Sequence, residues 1–173
     1  MAELGLFAGQ RLELIDGDLI DKMGQNPLHA AAIQLLLELL VEVFPLRRLR
    51  AQFPLEVAAA DRTFNFPEPD LTVVAETKST FSQRHPRGDE TLLVVEVSDT
   101  TLRADSTLKR DLYARAGVAE YWVLNLKGRK LIVFRQPKAG KYASTSTLTS
   151  RESVSIAGHS LRFASMLPSS AQA

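Results

Sequence analysis

Apolar positions follow strand-like alternation in some segments of this chain and helical spacing in others. In LELIDGDLIDK at 12–22, alternating apolar side chains flank Asp16-Gly17, which predicts two short strands joined as a hairpin. Asn26-Pro27 then breaks the chain. From Leu28 to Phe44 the residues Ile33, Leu36, Leu37, Leu40, Val41 and Phe44 recur on one helical face, and Pro45 ends the helix. Residues 47–60 predict an irregular strand pair. Pro67-Glu68-Pro69 forces an extended approach to Asp70, and LTVVA at 71–75 reads as a buried strand. Residues 76–90 carry no apolar pattern and form a long polar loop, a length usually reserved for mobile or functional segments. TLLVVEV at 91–97 is the most strand-like run in the chain. A second helix over about 104–116 closes at Gly117. Strands at 119–125 and 129–135 form a hairpin, and two weaker strands follow near 142–148 and 153–163. Strand pairs mixed with two helices indicate an α/β fold bordering on α+β, as a single domain over 1–173 around one central sheet.

Composition narrows the function classes. At 173 residues and 45% hydrophobic, the chain can bury a core of its own. Zero Cys removes thiolate metal sites, cysteine nucleophiles and disulfide frameworks. No apolar run reaches the roughly 18 residues of a spanning helix. The opening MAELGLFAGQ lacks the basic start and long apolar stretch of a signal peptide, so a soluble, cytoplasmic protein is expected. The net charge of +1 does not announce a nucleic-acid partner, so any such site must come from local arrangement.

Three charged residues stand where solvated charges do not belong. Asp70 opens one buried strand, Glu96 lies within LLVVEVS, and Lys109 lies on the following helix. A carboxylate at the edge of a Val/Leu-rich strand is costly unless a cation meets it. Antiparallel pairing of 70–75 with 92–97 puts Asp70 and Glu96 at one end of the sheet. Alternation puts Glu96 and Ser98 on one face and Val95 and Val97 on the other. On the helix, Leu108, Leu112 and Ala116 predict the apolar stripe, with Asp105, Lys109 and Tyr113 on the stripe beside it. A lysine stem of about 6 Å reaches back from there to the sheet edge. Two carboxylates and a lysine at one sheet edge suit divalent-metal hydrolysis: the acids hold Mg²⁺ through hard oxygens, and the ammonium orients water or offsets charge building on a phosphate.

The stretches LELIDGDLI at 12–20, NPLHA at 26–30, PEPDLTVV at 67–74, LLVVEVSDTTLRADSTLKRDLYARAGVAEYWVL at 92–124 and LIVFR at 131–135 together resemble the Uma family of restriction-endonuclease-like proteins, within the PD-(D/E)xK nuclease superfamily. The resemblance spans about 12–135, with 92–124 its most specific block. It implies a restriction-endonuclease-like fold: a central mixed sheet flanked by helices, an N-terminal hairpin, and a C-terminal hairpin within the strands at 141–163. By this resemblance Asp70 is the Asp of the PD element and Glu96 the acid of the second element. Ser98 stands where the superfamily usually has Lys, and Lys109 matches members whose lysine has migrated to the next helix. The main-chain carbonyl of Val97 would complete a metal shell, and Glu13 would be an accessory ligand. His29, Asp105 and Tyr113 match recurrent positions with no role assigned. Two departures stand out: only about ten residues precede the first hairpin, where relatives carry a short helical segment, and Asn125 replaces a common Asp. The implied activity is Mg²⁺-dependent cleavage of DNA, with Mn²⁺ as a substitute, by a homodimer.

Each residue also has a plainer reading. Asp70 alone reads as a turn cap after two prolines, Glu96 as half of a structural ion pair, and Lys109 as an ordinary helix lysine. Ser98 with Asp99, Thr100 and Thr101 reads as a capping cluster, and a hydrolase using Ser98 lacks a neighbouring His in sequence. His29, His85 and His159 show no metal-ligand spacing. Tyr121 and Trp122 read as packing residues. Arg47, Arg48, Arg50, Arg84 and Arg87 read either as contacts to a phosphate backbone or as scattered solvated charges. A catalytically weak or inactive nucleic-acid-binding or assembly module on the same fold is the alternative.

Overall fold

The computed structural model describes residues 12–21 and 26–169. The expected N-terminal departure, in the residues before the first hairpin, lies outside the described residues. Strands β1 (Leu12–Ile15) and β2 (Asp18–Asp21) form the predicted hairpin. Its two-residue turn needs positive φ twice, and Asp16 (φ 53°) with Gly17 (φ 88°) supplies it. Helix α1 (Pro27–Val41) starts where Asn26 accepts a hydrogen bond from the His29 N–H at 2.9 Å, and proline at its first position loses nothing there.

Six strands form the central sheet: β3 (Leu49–Ala51), β4 (Leu71–Val74), β5 (Thr91–Ser98), β6 (Glu120–Asn125), β7 (Lys130–Lys138) and β8 (Lys141–Leu148), hydrogen-bonded in that order. Only β5 and β6 run parallel, so the sheet is mixed. A parallel pair requires a crossover. Here it is a helix running through 102–115 as α2 (Leu102–Ala104), a π turn (Asp105–Lys109) and α3 (Arg110–Arg115). Strands β9 (Ser153–Ile156) and β10 (His159–Arg162) form a separate hairpin. The run at 153–163 is thus two strands turning at Ala157-Gly158, both at positive φ. Residues 47–60 yield only β3 and an isolated bridge from Glu56 to Arg87, not a strand pair.

The sheet separates two cores. On one face Leu71, Val73, Val95, Val97 and Trp122 pack against Ile33, Leu36 and Leu40 of α1 and against the C-terminal hairpin. On the other, Val94, Tyr121 and Val123 meet Leu112 and Tyr113 of the crossover helix and Ile15 of the first hairpin. Leu108 departs from expectation: it is 51% exposed, while Asp105, Lys109 and Tyr113 are buried. The π turn explains this. It widens the helix by one residue per turn, so a stripe projected at 100° per residue is displaced.

The long loop at 76–90 is docked, not loose. Buried Glu90 accepts from Arg84 through two bonds of 2.7 Å, from Lys78 at 2.8 Å and from the Arg87 N–H at 3.0 Å. Gly88 makes the approach possible, because a Cβ there would lie 2.4 Å from the Ala116 carbonyl oxygen. No helix among the described residues is long and apolar enough to cross a membrane.

Candidate active site

Register brings the acids together. Leu71 pairs with Val95, so Asp70 and Glu96 fall on the next row, at one end of the sheet. Gln52, just past β3, joins that row, its N–H donating to the Asp70 carbonyl at 3.1 Å. Asp70 Oδ2 accepts from the Val97 N–H at 2.8 Å and contacts His29 Nε2 at 3.2 Å. The N-cap of α1 thereby aims a histidine at the PD-type aspartate.

Lys109 is the centre of the second layer. Its Nζ lies 2.6 Å from Glu13 Oε1, 3.0 Å from Glu96 Oε1 and 3.7 Å from Asp105 Oδ1. The π turn places Asp105 and Lys109 on the same inward side. Tyr113 donates to the same Glu96 oxygen at 2.8 Å. Asp105 Oδ2 accepts from Ser98 at 2.5 Å and Thr101 at 2.6 Å, and Tyr121 donates to the Asp105 carbonyl at 3.0 Å. Glu13 Oε2 accepts from the Glu68 N–H at 3.3 Å, which ties the hairpin to the PEPD segment.

Burial on its own pushes the Lys109 pKa down; the charges of Glu96, Glu13 and Asp105 more than offset this and leave it raised. Lys109 is therefore an ammonium at neutral pH. Burial, and then the charge of Glu96, raises Tyr113, which stays a hydrogen-bond donor. Glu13, Asp70, Glu96 and Asp105 are all buried, against one lysine at the centre. Among the described residues these carboxyl groups outnumber the lysine four to one.

The donors fit a hard divalent ion. Asp70, Glu96 and the Val97 carbonyl offer only oxygen, which suits Mg²⁺ or Mn²⁺ better than zinc. Among the described residues no three acid or histidine side chains are already gathered as a cation cage; the Lys109 ammonium stands where the acids converge.

The sequence-predicted residues thus form two bonded groups, His29–Asp70–Val97 and Glu13–Glu96–Ser98–Asp105–Lys109–Tyr113, joined by the Glu96–Val97 peptide of β5. Ser98 is fully buried and bonded to Asp105, so it braces the helix and is closed to a substrate. Asn125 accepts from the Gly128 N–H at 2.8 Å and closes the β6–β7 turn. Of the arginines, Arg84 and Arg87 are held by Glu90 and Asp89, and Arg48 donates to the Val74 carbonyl at 2.8 Å. Gln52 was not foreseen; its only sequence signal is its place just before Phe53-Pro54.

Two comparisons bear on this geometry. The fold is similar to that of a "putative nuclease belonging to DUF820" from Anabaena variabilis, with a TM-score of 0.61 and 15% identity over 90% of this chain and 88% of that one. None of the curated proteins matches. The sheet with its crossover helix and the PEPD and VVEVS elements fall within residues 2–164, which match the family model Uma2, "putative restriction endonuclease", and the chain belongs to that family.

Proposed function

We propose that this protein is a divalent-metal-dependent endonuclease that hydrolyses DNA phosphodiester bonds, with Asp70, Glu96 and Lys109 as its reactive residues. The observation that carries the reading is the Glu96–Lys109 contact of 3.0 Å, on the sheet row of Asp70, where among the described residues four buried carboxyl groups stand against one lysine. Asp70, Glu96 and the Val97 carbonyl would hold the ion, with Glu13 accessory. When bound, such an ion supplies Lewis-acid polarisation of the phosphoryl group and a more acidic water. His29 and the Val97 N–H fix the Asp70 carboxylate. Tyr113 fixes Glu96. Lys109, held charged, offsets negative charge building on the phosphate instead of abstracting a proton. A homodimer and a cytoplasmic setting belong to the same reading.

The test is cleavage of plasmid, linear and single-stranded DNA with Mg²⁺ or Mn²⁺, by wild type and by Asp70→Ala, Glu96→Ala and Lys109→Ala. Wild-type cleavage lost in all three supports the assignment, and cleavage unchanged by all three rejects it. One observation favours a second reading, a nucleic-acid-binding module without useful catalysis: Lys109 already satisfies Glu13 and Glu96. Calorimetry separates the two, because a module of this kind binds DNA while taking up neither Mg²⁺ nor Mn²⁺.

A further inference from the structure

Arg50 sits in an unusual place for a cation. It pairs with Thr72 across β3–β4, two rows before Asp70. Its neighbours Leu49 and Ala51 pack toward α1, so by strand alternation Arg50 projects from the opposite face, which also carries Val94 and the crossover helix. Its guanidinium carbon lies 5.1 Å from the centroid of the Phe53 ring. Its Nε is buried with no acceptor among the described residues. Burial lowers its pKa with no carboxylate to offset the effect. Arg84, Arg110 and Arg115, by contrast, each have an acid partner. Phe53 is 53% exposed although it is a large aromatic. Between them Gln52 adopts φ 57°, a left-handed conformation rare for a side chain of this size, while its N–H holds Asp70. The chain thus turns sharply beside the candidate active site and presents a ring backed by a cation that meets no acid among the described residues.

We propose that Arg50 and Phe53 form a nucleotide subsite, in which Arg50 binds a backbone phosphate next to the scissile one and Phe53 stacks on an unpaired base. The ligand is single-stranded nucleic acid, or a duplex with an unpaired end or flap. A base inside a duplex is already stacked on both faces and offers nothing to Phe53, whereas an unpaired base offers a free π-face. Arg50 supplies the phosphate contact that the acid-rich cluster cannot. The inference rests on the nuclease reading for the identity of its ligand, but not on catalysis.

The experiment measures binding of the full chain to a fluorescein-labelled 12-nucleotide single strand and to the matching blunt duplex by anisotropy, in EDTA so that no cleavage intervenes. Wild type is expected to bind the single strand more tightly. Phe53→Ala weakens that binding roughly ten- to hundredfold, the range for one stacked base, and leaves duplex binding unchanged. Phe53→Trp restores it, and its added fluorescence is quenched by the strand. Arg50→Gln lowers the salt slope of log K for the single strand by about 0.7, the value for one phosphate contact, and Arg50→Lys retains that slope. Equal binding of the single strand by wild type and Phe53→Ala, or an unchanged slope in Arg50→Gln, overturns the proposal. Loss of metal-dependent cleavage in every preparation would instead overturn the nuclease reading and leave these binding results standing.

Discussion

Glu90 stands just before strand β5 and Glu96 near its end, and both are buried carboxylates that face cations. Around Glu90 the cations are in excess: Lys78, Arg84 and Arg87 approach one acid. Around Lys109 the acids are in excess: Glu13, Glu96 and Asp105 approach one cation. Glu90's cations are also partly solvated, with Arg84 31% and Lys78 44% exposed, so their leftover charge reaches water. The carboxylates around Lys109 have no such outlet. The first arrangement is complete and fastens a loop. The second, among the described residues, gathers three acids on one lysine, with Asp70 on the same sheet row as Glu96. An ion pair by itself therefore says little about function; the sign and burial of what is left over say more.

The strongest way to break this comparison is to remove Lys109. Lys109→Met removes the ammonium that Glu13, Glu96 and Asp105 share, at an expected cost of about 3–5 kcal/mol. If the surplus marks a cation site, 10 mM Mg²⁺ or Mn²⁺ recovers much of that loss in thermal melts, while cleavage falls by about 10²–10³-fold. A melt indifferent to the metal ions places the two clusters in one class.

Glu90→Gln should cost less, about 1–3 kcal/mol, because its cations can turn to water. No metal ion should recover it, and denaturant titrations with and without Mg²⁺ check both statements. The same variant carries a pH signature. Hydrogen bonds from Arg84 hold the Glu90 pKa well below the usual carboxylate range. A depressed folded pKa gives stability that is full above the unfolded value, about 4.3, and is lost as pH falls toward the folded one. The gap between wild type and Glu90→Gln should therefore be flat from about pH 5 to 8 and narrow below about pH 4 in urea titrations.

Much of this was legible beforehand where the physics is local. Alternation in LELIDGDLI and VVEVS, and the turn at Asp16-Gly17, need only nearest neighbours. Asp70 and Glu96 followed because one antiparallel register decides both. Two features escaped for opposite reasons. The π turn is an irregularity that no fixed helical period encodes, so Leu108 was assigned inward. The docking of residues 76–90 depends on contacts between Glu90 and side chains of its own loop, in a segment with no periodicity to read. Arg50 and Phe53 were visible as residues, but their pairing needed the left-handed turn at Gln52.

Two finer predictions sharpen the picture. Tyr113→Phe removes one donor to Glu96, at about 1.5–3 kcal/mol of stability, and should lower kcat of metal-dependent cleavage with little change in KM. Leu108→Gln should be nearly silent, within about 0.5 kcal/mol in the same titrations, because the π turn has already sent that side chain outward. A large loss there would mean a regular helix in solution.

The hairpin acid Glu13 has a consequence for the newborn protein. It emerges early in translation, yet its cation belongs to a helix made much later, and β4 and β5 must pair in between. A ribosome-bound fragment that ends before the crossover helix therefore holds these acids without Lys109. The cluster around Lys109 is therefore completed only when the crossover docks, after most of the sheet's first half has been made.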